Sequence, residues 1–451
     1  MKRQKLFKMI IAFFCLIFVL ISALGTFSVC ASDSFPDVSG VNQVYLYNYE
    51  SNKIIYSKGS GTSSIAPAST VKIMSGLLAI EHLADRRDEY VTLTKDMLDG
   101  VEGFTINLKA GDTLKINDLL YGLICGGGND AAIVLANICS GSVESFVAEM
   151  NSTALSFGMK NTNYTNPTGI DDTAMNTTLN DTVIISKKAI ENELFVKIAS
   201  SVNHTYTLRD SAETKTIANR NALISSYSAI GYQNKRVNGL NAGMTDRGGY
   251  CVSAYASNGQ DTYLCIVMGG IEATNGKLMS YSVVNSLLSY VFENYTYTKI
   301  AEKGDVIGEI TVDLALPTNG SQAVTVNCIL ENDIYAFAPS NINYDRDLTY
   351  KTYFHADELT APVYENTIVG GVDIYYEDNY IASARLLTES YIQESSLLVT
   401  LDNMKQFTLS RTILIFILIL IPSVLLYFYF TVWRSKLRKK KAIENELKNK
   451  K

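Results

Sequence analysis

Residues 412–433 constrain this chain more than any other stretch, because 22 consecutive positions carry no charged side chain. As a helix rising 1.5 Å per residue they reach roughly 33 Å, about the thickness of a bilayer's hydrocarbon core. Pro422 is tolerable inside a lipid-embedded helix. Tyr427, Tyr429 and Trp433 crowd the far end like an interfacial aromatic belt, and Arg434, Lys436, Arg438, Lys439, Lys440 and Lys441 follow at once. That positive charge assigns residues 434–451 to the cytoplasm. The residues before the span are then expected to fold on the extracytoplasmic face of the plasma membrane, in a single-pass protein. The N-terminus agrees. Lys2, Arg3, Lys5 and Lys8 precede or open an apolar run at 9–24, and Val29, Cys30 and Ala31 stand before a cut near Ser32, the pattern of a signal peptide over 1–31.

Charge narrows the function. The chain's net charge of −6 conceals two basic ends, +4 in residues 1–31 and +7 in 434–451, which leaves −17 on residues 32–433. A body that acidic repels nucleic acid, and no nucleic-acid partner is expected. The imidazoles are His82, His204 and His355, and none lies at metal-ligand spacing from a cysteine or an acidic cluster. No metal site, cofactor or histidine-based triad is expected, so a nucleophile here needs another base. Beyond the leader, Cys125, Cys139, Cys251, Cys265 and Cys328 form an odd set. Most lie in apolar runs and read as small buried side chains rather than a disulfide framework.

The 451 residues leave room for two or three cores. Residues 41–58 alternate on either side of Ser51 and Asn52, a hairpin signal. From Pro67 to about Ser201 apolar residues recur at helical spacing, in 71–83, 116–125, 131–139, 143–157 and 179–199. Alternation returns in 239–245, 250–256 and 262–269, and 277–294 reads as one further amphipathic helix. The pattern predicts an α/β (α+β) domain over 32–296: an antiparallel sheet whose first strands pair with its last, with a helical lobe beside it. Residues 297–400 change to short β-rich runs and predict a small all-β domain. Residues 401–411 are then a stalk to the membrane.

One constellation in the first domain suits covalent catalysis. Pro67 stands near the start of the first helix, and Ser69 and Lys72 share a face one turn apart. A hydroxyl at a helix N-terminus sits in positive potential, which favours developing negative charge. A lysine buried beside it loses stability as an ammonium, so its pKa falls and the neutral amine can take the hydroxyl proton. A capping serine and a surface lysine give the same S-x-x-K spacing, so the motif alone does not choose between them.

A longer series of blocks is more specific. Ala68-Ser69-Thr70-Val71-Lys72 is followed by Gly128-Asn129-Asp130-Ala131-Ala132 and Asn166-Pro167-Thr168-Gly169. Asn219-Arg220-Asn221-Ala222-Leu223 and Gly239-Leu240-Asn241-Ala242-Gly243-Met244-Thr245 come next, then Gly304-Asp305-Val306-Ile307-Gly308 and Ala361-Pro362-Val363 in the β domain. In these blocks the chain resembles the D-alanyl-D-alanine carboxypeptidases, low-molecular-mass penicillin-binding serine peptidases, over nearly all of its mature length. The resemblance implies a β-lactamase/penicillin-binding-protein-like domain, a β domain and a membrane tether. It implies that Ser69 attacks the penultimate D-Ala carbonyl of a peptidoglycan stem peptide with Lys72 as base. Terminal D-Ala then leaves, water hydrolyses the acyl-enzyme, and a β-lactam acylates the same serine. Asn129 would orient the substrate amide, and Gly243, Thr245 and Lys277 would meet the substrate.

Two motifs of that family are altered. Where it carries Ser-x-Asn, this chain has Gly127-Gly128-Asn129, without the hydroxyl that relays a proton to the leaving group; such help is worth about 10² to 10⁴ in rate. Where it carries Lys-Thr-Gly, this chain has Asn241-Ala242-Gly243. An amide replaces the ammonium, and a methyl replaces the hydroxyl that meets the substrate carboxylate, a charged hydrogen bond worth roughly 1.5–3 kcal/mol. Lys277 falls where relatives carry an arginine for the terminal carboxylate and keeps the charge without the fork; Lys235 or Arg236 could substitute. The resemblance therefore implies a carboxypeptidase of reduced activity. Two other readings stay open: a degenerate relative that binds wall peptide or a partner protein without turnover, and a β-lactamase-like acyl-transfer enzyme.

Overall fold

The computed structural model describes residues 35–226, 231–317, 324–409 and 411–448; the signal peptide expected at 1–31 lies outside them. The chain divides into two compact units. One holds the residues up to Thr298 together with Tyr335–Arg346, and the other holds Lys299–Ile334 and the chain from Asp347 onward.

In the first unit, β1 (Gln43–Asn48) and β2 (Lys53–Lys58) form the hairpin that the alternation predicts. The chain then leaves the sheet for six helices: α1 (Val71–Leu83), α2 (Ile116–Ile124), α3 (Asn129–Ser140), α4 (Val143–Ser156), α5 (Leu179–Ile190) and α6 (Glu193–Ala199). It returns as β3 (Val237–Thr245), β4 (Gly249–Ser257) and β5 (Thr262–Gly270) and closes with α7 (Met279–Asn294). The sheet order is β2-β1-β5-β4-β3, antiparallel throughout. The first strand pairs with the last, Gln43 opposite Met268 and Asn48 opposite Tyr263.

The two-residue period of a strand explains why both faces are covered. On β5, Leu264, Ile266 and Met268 join the core of the helical lobe, whereas Tyr263, Cys265 and Val267 join the core under α7. On β1, Tyr45 and Tyr47 face the lobe while Val44 and Leu46 face α7. This is a sheet between two helical layers.

Several expectations meet detail that the pattern did not carry. The helical run at 179–199 is two helices, because the Asn192 side chain accepts a hydrogen bond from Phe195 N at 2.9 Å and starts α6. A hairpin of Asn203–Thr207 and Thr214–Ala218 follows, threonine-rich and largely exposed. In the second unit a six-stranded sheet is mostly antiparallel, with one parallel pair between Val306–Asp313 and Leu359–Thr360. Tyr335–Arg346 interrupts this unit in sequence: Phe337 stacks on Tyr295 and packs edge-on to Tyr263 in the first. The expected stalk lies largely within a helix, α8 (Ser396–Leu409). In α9 (Arg411–Lys448), residues Leu414–Ile443 are long and apolar enough to cross a membrane, and the helix runs through Pro422 into the basic tail. Cys125, Cys139, Cys251, Cys265 and Cys328 are all free thiols.

Candidate active site

A 3₁₀ turn, Ala68–Thr70, leads directly into α1, so Ser69 sits at the amino end of the helix and Lys72 one turn on. Both line one cleft of about 540 Å³. Two glycines let the backbone close on the serine. A Cβ built on Gly243 of β3 would stand 2.2 Å from Ser69 Oγ, and one on Gly169, whose φ is +80°, would stand 2.1 Å from Ala68 O. No side chain fits at either position without displacing the serine turn.

Lys72 is only 3% exposed, and its Nζ donates to Thr168 O at 2.6 Å. That carbonyl is fixed by Asn166, whose Oδ1 accepts from Thr168 N, Thr168 Oγ1 and Gly169 N at 3.1, 2.8 and 2.8 Å. Ser75 Oγ, one turn further along α1, donates to Pro167 O at 2.7 Å. The Asn166-Pro167-Thr168-Gly169 block, quoted above without a role, therefore holds the amine in place. Burial, and after it the positive charge of Arg220, lowers the Lys72 pKa to about 7. Near neutrality a large share of these amines is uncharged.

The remaining sequence-derived positions divide. Asn129 lines the cleft; its Nδ2 donates to Glu102 O at 2.7 Å, and its buried Oδ1 has no partner among the described residues. Gly127 lines the cleft with φ +66°, and a Cβ there would meet Arg220 Cβ and Cγ at 3.5 and 3.6 Å. Gly243 and Thr245 also line it, Thr245 Oγ1 accepting from Gly248 N at 3.1 Å. At the altered third motif, Ala242 reaches the cleft and packs in one core with Ala222 and Tyr281. Asn241 is buried outside the lining, its Oδ1 again without a partner among the described residues.

The cations expected to clamp the substrate carboxylate do not line the cleft. Lys277 is exposed and outside the cleft lining, where its neighbour Leu278 stands instead. Lys235 is exposed, and the Arg236 guanidinium lies over the Phe292 ring at 5.0 Å; neither lines the cleft. The cation that does so beside Lys72, among the described residues, is Arg220, whose guanidinium lies 3.9 Å from the centre of the Phe104 ring. Sequence reasoning quoted Arg220 inside a block and gave it no function, although it is the one charged residue of that block. Arg220→Gln is expected to raise the pH at which Lys72 gives up its proton. With Lys72 as the base that the resemblance implies, the expected result is slower β-lactam acylation at pH 7, by about twofold or more, with a pH–rate midpoint moved upward.

Residues 32–272 match the family model for D-alanyl-D-alanine carboxypeptidase, peptidase S11, and residues 295–394 match that for the penicillin-binding protein 5 C-terminal domain. Fold and cleft together define a protein of the penicillin-binding class. Within that class, the chain belongs to the D-alanyl-D-alanine carboxypeptidase family. It is 25% identical to D-alanyl-D-alanine carboxypeptidase DacD of Escherichia coli, over 88% of this chain and 98% of the relative. It is 28% identical to D-alanyl-D-alanine carboxypeptidase DacF of Bacillus subtilis, over 59% of this chain and 66% of the relative. Among solved structures, penicillin-binding protein 5 from Haemophilus influenzae aligns with a TM-score of 0.55 and 25% identity, over 80% of this chain and 99% of that one.

Proposed function

We propose that this protein is a serine-type D-Ala-D-Ala carboxypeptidase acting on peptidoglycan stem peptides, with activity reduced by its two altered motifs. The observation that carries the reading is the buried Lys72, uncharged in large part near pH 7, in the same cleft as Ser69. The neutral amine takes the Ser69 proton, and the oxygen attacks the penultimate D-Ala carbonyl to give a tetrahedral adduct. The adduct collapses with cleavage of the C–N bond, the Lys72 ammonium returns the proton to the leaving nitrogen, and D-Ala departs. Water then cleaves the ester by the same proton traffic. The unpartnered Asn129 Oδ1 is an acceptor for a substrate N–H. β3 is an edge strand of the sheet, so an extended peptide can add alongside it. Arg220 offers a carboxylate the charge that Asn241 no longer supplies. Without a hydroxyl at Gly127, the leaving-group step forfeits a factor of up to about 10⁴.

This reading includes the domain limits 32–296 and 297–400, a single span at 412–433, outer domains on the extracytoplasmic face and a cytoplasmic tail at 434–451. A second reading, binding of wall peptide without turnover, is favoured by the replaced third motif. Labelling of the detergent-solubilised chain by a fluorescent penicillin separates the two. The carboxypeptidase reading predicts a labelling rate that climbs as pH rises through about 7, where Lys72 becomes neutral; no label at any pH points to the binding role. Rapid turnover of a chromogenic cephalosporin would instead indicate a β-lactamase-like enzyme.

A further inference from the structure

We propose that Asp130 is a positioning residue for this cleft: it clamps the segment 102–108, and that segment holds Phe104 as the seat of the Arg220 guanidinium beside Lys72. The segment has no regular secondary structure and contains two left-handed residues, Gly103 at φ +74° and Asn107 at φ +63°. Its position must therefore come from outside. Asp130, on the first turn of α3 and 1% exposed, supplies it. Its Oδ1 accepts from Ile106 N at 3.1 Å and from Ala131 N at 2.9 Å, and its Oδ2 accepts from Leu108 N at 3.0 Å. Backbone N–H groups and the positive end of α3 together satisfy this buried charge.

The side chain between those two amides is plugged as well. A Cβ on Gly122 would lie 2.5 Å from Ile106 Cδ1, and one on Gly126 or Gly128 would lie 3.0 Å from Ile106 Cγ2. Ile106 thus fills a hollow that three glycines leave between α2 and α3. Asn129 pins the other end, its N donating to Phe104 O at 2.8 Å and its Nδ2 to Glu102 O. Phe104 stands between the two anchors, 41% exposed, with its ring under Arg220. A cation over an exposed ring gains about 0.5–1 kcal/mol, and a ring held still keeps one face under the guanidinium.

The catalytic consequence rests on Lys72 acting as the base proposed above, but the arrangement can be tested without turnover. Full-length protein in detergent is given trace acetic anhydride across the neutral pH range, and mass spectrometry of the Lys72 peptide reads the fraction of neutral amine. Asp130→Asn places a donor against backbone N–H groups and releases the segment. Phe104→Leu removes the seat without touching the buried carboxylate, and it carries the test should Asp130→Asn fail to fold. Both are expected to move the Lys72 midpoint upward, in the same direction as Arg220→Gln and by no more than that variant does, with up to about twofold less neutral amine at pH 7. Asp130→Asn added to Arg220→Gln is expected to produce no further movement. Additive shifts overturn the proposal, as does a midpoint unmoved by Phe104→Leu or by Arg220→Gln. Failure of penicillin to label the wild-type chain bears on the carboxypeptidase reading and leaves this measurement intact.

Discussion

Lys72→Met is expected to abolish β-lactam acylation, by 10³-fold or more on the order of other base deletions, and at the same time to stabilise the folded chain. The sign follows from the lowered pKa. Between the ordinary lysine value of 10.5 and about 7, the unfolded chain binds a proton that the folded chain does not. Stability is therefore full above pH 10.5, falls as pH drops through that window, and stays reduced below about 7. At 1.36 kcal/mol per pH unit, the buried amine costs about 4 kcal/mol at neutral pH. Methionine fills similar space without the charge, and the hydrogen bond it forfeits to Thr168 O is worth about 1 kcal/mol. A net gain of roughly 2–3 kcal/mol raises Tm by several degrees, visible by calorimetry. A variant that melts earlier than the parent would mean that Lys72 is a paired, charged structural residue.

Gly243→Ala is expected to cost about 10²-fold or more in acylation rate. The added carbon would lie 2.2 Å from Ser69 Oγ and 2.3 Å from Ser69 Cβ, so either β3 or the serine turn must retreat. A nucleophile displaced by about 1 Å loses about that factor. Overpacking of this kind also destabilises, by about 1–3 kcal/mol. The acylation rate and the denaturation midpoint of this one variant check both numbers; a wild-type rate would show that β3 does not press on the nucleophile.

What the sequence made legible follows from the range of the forces involved. The Ser69–Lys72 relation is local, three residues on one helical face, and needs no tertiary knowledge. The pairing of β1 with β5 was readable because the early and late alternating runs bracket a helical stretch and need one another's edges. The Phe104–Arg220 contact joins residues 116 positions apart and has no periodicity to betray it. The threonine-rich hairpin from Asn203 to Ala218 offers no apolar alternation, so pattern reading passed over it. Lys277 lies outside the cleft lining: the chain turns at Gly276, φ +78°, and Leu278 stands in the lining. The break before α6 was signalled by Asn192 ahead of Glu193, a capping pattern that the apolar spacing across 179–199 overrode.

The most direct measurement is peptide mass spectrometry of the intact chain after exposure to a β-lactam at pH values on either side of 7. The account predicts one covalent adduct, on the peptide bearing Ser69, forming faster on the alkaline side and missing from Ser69→Ala. An adduct on another residue, or none at any pH, would contradict it.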